Sequence, residues 1–413
     1  MTSRTGFVRL VAVADSDSYL KWAAATLASL DDVAAGIVLL RNPIQPSPAQ
    51  VGAALAGTPF RPDDVASVHV ARLRAHLRRA APDVVLVAAT GPVVELVVRA
   101  VAGLRPRPAV VTGLPGMALP ATSLGVRYRA ASDAFVVHSH TEREAYEAAF
   151  ATQGLHPVLA LERLPFVPVG PGPAAAPAPE PGAAPPVERV VFAAQAKVPA
   201  TRADRLCVLD ALARAGRDRD VVVKLRAVGG ERQTHAEEHP YPALWEAERA
   251  ARGWSDEVRF VAGPLGDWLG PGAGLVTVSS TAALEAVAAG VPVAVVEDFG
   301  VDDSMLTGVF AGSGLLRPLD AVVRGDLGLP DPVWWARNYG HDDPGELGHV
   351  VAGLARAVRT GRLDPRPVRP RSWRRYVRSW LRCAVPLVVV RPGGPRGHGG
   401  RRPGGSPPPS TGA

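Results

Sequence analysis

The stretch "VTVSSTAALEAVAAGVPVAVV", residues 276–296, decides how this chain folds. An apolar run meets Ser279, Ser280 and Thr281, then an alanine-rich segment whose one charged residue is Glu285, then Gly-Val-Pro and a second apolar run. Short continuous apolar runs bracketing a helical segment are the mark of buried parallel strands joined by a crossover helix. Leu284, Val287 and Ala288 form the stripe that covers the sheet, and Gly290 with Pro292 supply the close turn into the next strand. Glu285 lies four residues after Thr281, so both share one face of the helix. The hydroxyls admit two readings. They cap the helix, as Ser and Thr commonly do, or they join the free backbone N–H groups in holding an anion. In the second reading Glu285, one turn in, accepts the vicinal hydroxyls of a ribose whose phosphates sit at the helix start.

Working outward, the same alternation fills the first 165 residues, with strands at 8–15, 34–41, 65–70 and 132–139 and helical patterns between them. Residues 168–187 are almost wholly Pro, Ala and Gly and read as a semi-rigid linker. Strand and helix patterns then resume at 188–195, 203–215, 220–228, 241–252 and 257–263. The expected fold is α/β: two doubly wound, Rossmann-like parallel-sheet domains facing a cleft, with ligands at the carboxyl ends of the strands. The expected units are an acceptor domain over 1–167, the linker 168–187, a nucleotide-sugar domain over 188–361, a basic aromatic helix within 362–390 and a disordered tail over 391–413.

Composition agrees with a globular chain: 413 residues, 47% hydrophobic and 21% charged. No apolar run approaches the ~20 residues of a membrane span. The amino-terminal apolar run is short and ends in acids, which fits a strand better than a signal peptide. Cys207 and Cys383 are far apart and suggest a reduced compartment, so a cytoplasmic location is expected. The net charge of +7 is unevenly spread: from residue 362 onward twelve arginines face one aspartate, a net +11, leaving −4 for the first 361 residues. A mildly acidic body argues against nucleic acid as partner. Over 371–391 arginines alternate with Trp373, Tyr376, Trp380 and Leu381. That pattern suits either a helix in peripheral contact with anionic lipid at the inner face of the membrane or one bracing the amino-terminal domain.

Three further constellations stand at expected strand ends. Lys224 and Arg226 alternate along one strand, and the loop beyond holds His235, Glu237, Glu238 and His239; "HAEEH" departs from the His-Glu-x-x-His zinc pattern, which favours a phosphate site. The loop over 192–205 carries Gln195 and Lys197, the latter one of only three lysines against 43 arginines. In the first domain Asp15 and Asp17 follow the first strand, with His138 and His140 behind them as further candidates for a base. A Gly/Pro loop over 112–120 is expected to line the acceptor side.

"SSTAALEAVAAGVPV", residues 279–293, is similar to the carboxyl-domain signature shared by GT-B glycosyltransferases and the non-hydrolysing UDP-GlcNAc 2-epimerases. The resemblance implies the phosphate role for Ser279, Ser280 and Thr281 and the ribose role for Glu285. Epimerases add two adjacent glycines and paired glutamates, and this stretch has neither. The His239-Pro240 pair, taken with the serines, resembles donor motifs of bacterial sialyltransferases and capsule transferases. It implies that His239 contacts donor phosphate and assists the leaving group. The acid-acid-Gly motif that carries the base in sialyltransferases is absent, and Asp17 or Asp15 is assigned instead from placement. The implied activity is metal-independent transfer of a sugar from a CMP-, UDP- or GDP-linked donor to a cell-envelope or secondary-metabolite acceptor, saccharide or lipid-linked. Donor binding falls to Gln195, Lys197, Lys224, Arg226, His235, His239, Ser279, Ser280, Thr281 and Glu285, with no cofactor and no metal. The alternatives are an epimerase-like or glycerophosphotransferase-like enzyme, or a non-catalytic nucleotide-binding or scaffold relative.

Overall fold

A computed structural model describes residues 7–167, 186–225, 237–254, 257–366 and 372–384. The first part of the chain runs β1 (Val8–Ala14), α1 (Asp17–Ala28), β2 (Val33–Leu40), α2 (Pro48–Leu55), β3 (Val65–Val68), α3 (Val70–Ala80), β4 (Val84–Ala88) and α4 (Gly91–Ala102). It continues through β5 (Ala109–Thr112), α5 (Ser123–Tyr128), β6 (Ala134–Val137), α6 (His140–Ala151) and β7 (Val158–Leu161). These seven strands form one parallel sheet in the order β3-β2-β1-β4-β5-β6-β7. β4 is buried along its whole length, as expected of a strand covered by helices on both faces.

The second sheet is built from β8 (Arg189–Ala193), α7 (Arg202–Ala215), β9 (Asp220–Lys224), α8 (Tyr241–Arg252), β10 (Val258–Val261), β11 (Ala273–Thr277), α9 (Ala282–Ala288), β12 (Val293–Val296) and β13 (Leu316–Arg317). Its six strands are also parallel, in the order β10-β9-β8-β11-β12-β13. In each sheet the order reverses beside the first strand, at β1/β4 and at β8/β11. Such switch points are where doubly wound sheets bind ligands. Asp15 and Thr90 stand at the first, Gln195 and Ser279 at the second.

The chain continues through α10 (Leu319–Arg324), α11 (Pro332–Arg337), α12 (Leu347–Arg359) and α13 (Trp373–Ala384). The last two helices return to the first sheet. Leu347, Val351, Ala355 and Val358 of α12 sit in the core with Leu20 and Leu86. Cys383, Tyr376 and Trp380 of α13 pack on the opposite face with α3 and α4. Thus α12 lies outside the unit expected over 188–361. The described part of α13 braces the first sheet through its inner face, which leaves its outer face to the other reading. Residues 168–185 of the expected linker and 385–413 of the expected helix end and tail lie outside the described residues.

Local chemistry explains the smaller differences. The strand expected over 65–70 stops at Val68 because the His69 imidazole accepts from Ala71 N–H and caps α3. α9 is only seven residues long, and Gly290 at φ +72 carries the turn that the sequence assigned to it.

Candidate active site

Around the second switch point the hydroxyls face inward more than expected. The Gln195 carboxamide grips the backbone of Ser279 from both sides: its Oε1 accepts from Ser279 N at 2.7 Å and its Nε2 donates to Ser279 O at 2.6 Å. The Ser279 hydroxyl donates to the Leu306 carbonyl, and Leu306 itself holds a φ of +59, a region unfavourable to leucine. Ser280 Oγ accepts from Ala282 N at 3.2 Å. Ser279 and Gln195 therefore shape the turn, while Thr281, at the helix start, makes no side-chain cap bond.

Thr281 and Glu285 instead meet the other sheet. A Cβ built on Gly116, in the loop after β5, would fall 2.7 Å from the Thr281 methyl. Lys21 of α1 places its ammonium 3.5 Å from Glu285 Oε1 and 4.6 Å from the Phe166 ring centre. Asp17 lies one turn before Lys21 on α1, on the same face. The cleft is thus bridged where Gly116 meets Thr281 and Lys21 meets Glu285. The close approach at Gly116 gives a direct test. Gly116→Ala is expected to cost about 1–3 kcal/mol by overpacking, and Thr281→Ser, which removes the opposing methyl, should restore most of it in denaturant unfolding. An equal loss in the double variant would refute the contact.

The second wall is held by a residue that the motifs did not single out. Arg205 of α7 is 1% exposed. Its guanidinium donates to the carbonyls of Pro199 (2.9 Å), Gln195 (3.0 Å), Ala196 (2.9 Å) and His239 (2.9 Å) and to the Glu237 carboxylate. It also lies 4.8 Å above the Tyr241 ring. One side chain therefore ties the loop after β8 to the loop before α8, fixing Gln195 and the backbone of His239 together. Arg205 occupies the same apolar stripe as Leu209 and Leu212, and an arginine in such a stripe was the available signal. Lys197 is exposed, and Lys224 and His239 are half-buried. Arg226 and His235 lie outside the described residues.

In the first sheet Asp15 is completely buried, so it presents no carboxylate to the cleft. Its Oδ2 accepts from Thr90 N at 2.9 Å and Thr90 Oγ1 at 2.5 Å, which joins the ends of β1 and β4. Burial pushes its carboxyl above the usual carboxylate range, against the Thr90 hydrogen bonds. His138 is committed as well: its Nε2 accepts from Trp22 Nε1 at 3.0 Å and its Nδ1 donates to the Glu162 carbonyl at 2.8 Å. His140 Nε2 lies 2.8 Å from the Asp343 carboxylate on the returning segment, and that bond holds Asp343 below its usual range. Neither histidine is a free base. Asp17 is half-buried in the first turn of α1.

A family model described as "Putative glycosyltransferase (DUF6716)" matches residues 10–354. The chain belongs to this glycosyltransferase family. No curated protein matches the sequence. Among solved structures, S. aureus MnaA in a co-structure with UDP is similar at 10% identity and TM-score 0.52, over 87% of this chain and 99% of that one. The Neisseria meningitidis UDP-GlcNAc 2-epimerase bound to UDP-GlcNAc is similar at 9% identity and TM-score 0.50, over 84% and 99%. A UDP-glucosyltransferase from Polygonum tinctorium aligns at 13% identity and TM-score 0.44, over 92% and 98%. The family, with the likeness of fold to the first two of these structures, gives the two-sheet structure its place as a GT-B architecture.

Proposed function

We propose that the chain transfers a sugar from a nucleotide-linked donor bound at the carboxyl ends of β8, β9 and β11 to a saccharide or lipid-linked acceptor held by the first sheet. The observation that carries this reading is the meeting of Glu285 and Thr281 with Lys21 and Gly116 across the cleft. Glu285 accepts hydrogen bonds from the ribose hydroxyls, the backbone of residues 280–282 faces the donor phosphate, and Asp17 takes the acceptor proton. Lys21, released from Glu285 when ribose binds, offsets charge on the departing nucleotide phosphate, which supports a metal-independent reaction. His239 stands at the rim of the same loop system in the leaving-group role. CMP-, UDP- and GDP-linked sugars remain the donor classes, and cytoplasmic action beside the membrane is part of the same reading.

A thermal-shift panel of CMP, UDP, GDP and ADP tests the donor site, since a ligand that binds only the folded state raises Tm by mass action. One of the first three should shift Tm, and Glu285→Ala should weaken that nucleotide at least about tenfold through two lost charge-assisted hydrogen bonds, with the ligand-free Tm little changed. Unchanged affinity would return Glu285 to a structural role. The UDP-GlcNAc 2-epimerase likeness supplies the second reading. Conversion of UDP-GlcNAc to its epimer without acceptor-dependent nucleotide release would favour it, whereas acceptor-dependent release that survives a chelator supports transfer.

A further inference from the structure

We propose that the helical layer formed by α3, α4 and α13 is a docking surface for an anionic lipid bilayer. α13 is two-sided. Tyr376, Trp380 and Cys383 pack inward, Arg99 of α4 stacks 5.3 Å from Trp373 and 5.0 Å from Tyr376, and the His69 imidazole meets the Ala384 carbonyl at 2.8 Å. The outward side holds Arg374, Arg375, Arg378 and Arg382, all exposed. At 3.6 residues per turn these four span an arc of about 100°. The neighbouring α3 exposes Arg72, Arg78 and Arg79 and contains no acid. Glu95 is the one acidic residue in the sequence of the three helices, and no Asp or Glu follows Asp364.

This layer contrasts with the rest of the molecule. The first 361 residues carry a net −4 even with the arginines of α3 included. A negatively charged plane therefore favours this layer over the net-acidic remainder, which orients the protein as well as binding it. Trp373, 61% exposed, and Leu381, 46% exposed, border the arginines. Arginines interleaved with an indole and a leucine on a helix lying flat against the body suit the headgroup–acyl boundary of a bilayer. A nucleic acid would reward the charge and leave the apolar pair without use. α13 ends beside His69, at the carboxyl end of β3, so the rim of the layer lies on the sheet edge that holds Asp15 and Asp17. On the transferase reading, docking there would bring a lipid-linked acceptor to the cleft from the membrane side.

The test is sedimentation of the full chain with vesicles of phosphatidylcholine alone or mixed with phosphatidylglycerol. Wild type should pellet with the mixed vesicles at low salt, stay in solution with phosphatidylcholine, and be released as salt rises. Arg374→Glu/Arg375→Glu/Arg378→Glu should lower the partition coefficient about 100-fold, from about fivefold per arginine near the surface. Its nucleotide affinity should match wild type, which shows the variant is folded. Leu381→Ser should give a smaller loss, of similar size at each salt concentration at which wild type still pellets. Wild type left in the supernatant with the mixed vesicles would overturn the proposal, as would a triple variant that pellets equally well. So would tight binding to a duplex oligonucleotide without binding to vesicles. Failure of the nucleotide panel with vesicle binding intact would strike the donor reading alone.

Discussion

Arg205→Ala is expected to lower the melting temperature by roughly 6–20 °C, the largest stability effect of any single change in the cleft walls. Removing one partner of a buried ion pair costs about 3–5 kcal/mol, and each kcal/mol moves Tm by roughly 2–4 °C in a protein unit of this size. The mechanism is specific. The substitution strands the Glu237 carboxylate, whose side chain is only 16% exposed, and removes the donors of four carbonyls in two loops. It also leaves Tyr241, whose hydroxyl is buried without a partner among the described residues, facing a cavity where the guanidinium lay. Arg205→Lys separates scaffold from site. An ammonium keeps the charge near Glu237 but has three donors on one point instead of a planar fork. Its Tm should fall less than that of the alanine variant, while nucleotide affinity drops because Gln195 no longer holds Ser279 in place. Circular dichroism melts and the nucleotide titration read the two effects independently. A Tm within a degree or two of wild type for Arg205→Ala would show that the loops hold each other without it.

Much of this architecture was legible because the strands are buried on both faces. "VVLVA" in β4 and "VAVV" in β12 cannot alternate polar with apolar, and a run of that kind between helices has few homes other than a parallel sheet. Gly290 and Pro292 were readable for a related reason: a backbone turn leaves a residue signature in the chain itself. The destination of α12 and α13 was not. Their periodicity shows that each has an apolar face, and nothing in a periodicity says which sheet that face covers. The candidate site divides in the same way. Thr281 and Glu285 are four apart on one helix, so their shared face follows from the sequence. The Lys21 partner lies 264 positions away along the chain, and the Gln195 grip on Ser279 spans 84. The first pair is a product of the two sheets closing on each other, the second of β8 and β11 lying side by side in one sheet. Asp15 illustrates the opposite error, since an acid after a first strand reads as functional until Thr90, from the adjacent strand end, is seen to fill its oxygen.

That reassignment concentrates the chemistry on Asp17. Asp17→Asn is expected to cut kcat by about 10²–10⁴-fold, the usual contribution of a positioned general base. Nucleotide affinity should hold, because the donor pocket proposed above draws on α9 and on the loops after β8 and β9. The structural cost should be slight: Asp17 sits in the first turn of α1, where loss of a negative charge near the helix start costs about 0.3–1 kcal/mol. Its position argues for the proposed role. Asp17 precedes Lys21 by one turn on the same face of α1, and Lys21 reaches Glu285 across the cleft. Asp15→Asn provides the contrast, since a fully buried carboxyl bonded to Thr90 acts on the shape of the strand ends and should change Tm more than it changes kcat at saturating substrate. The discriminating measurement is the rate under single-turnover conditions, with nucleotide affinity read beside it. Asp17→Asn should leave a low residual rate at wild-type affinity. If the variant keeps the wild-type rate, Asp17 is not the base, and the acceptor proton leaves through another group at the cleft.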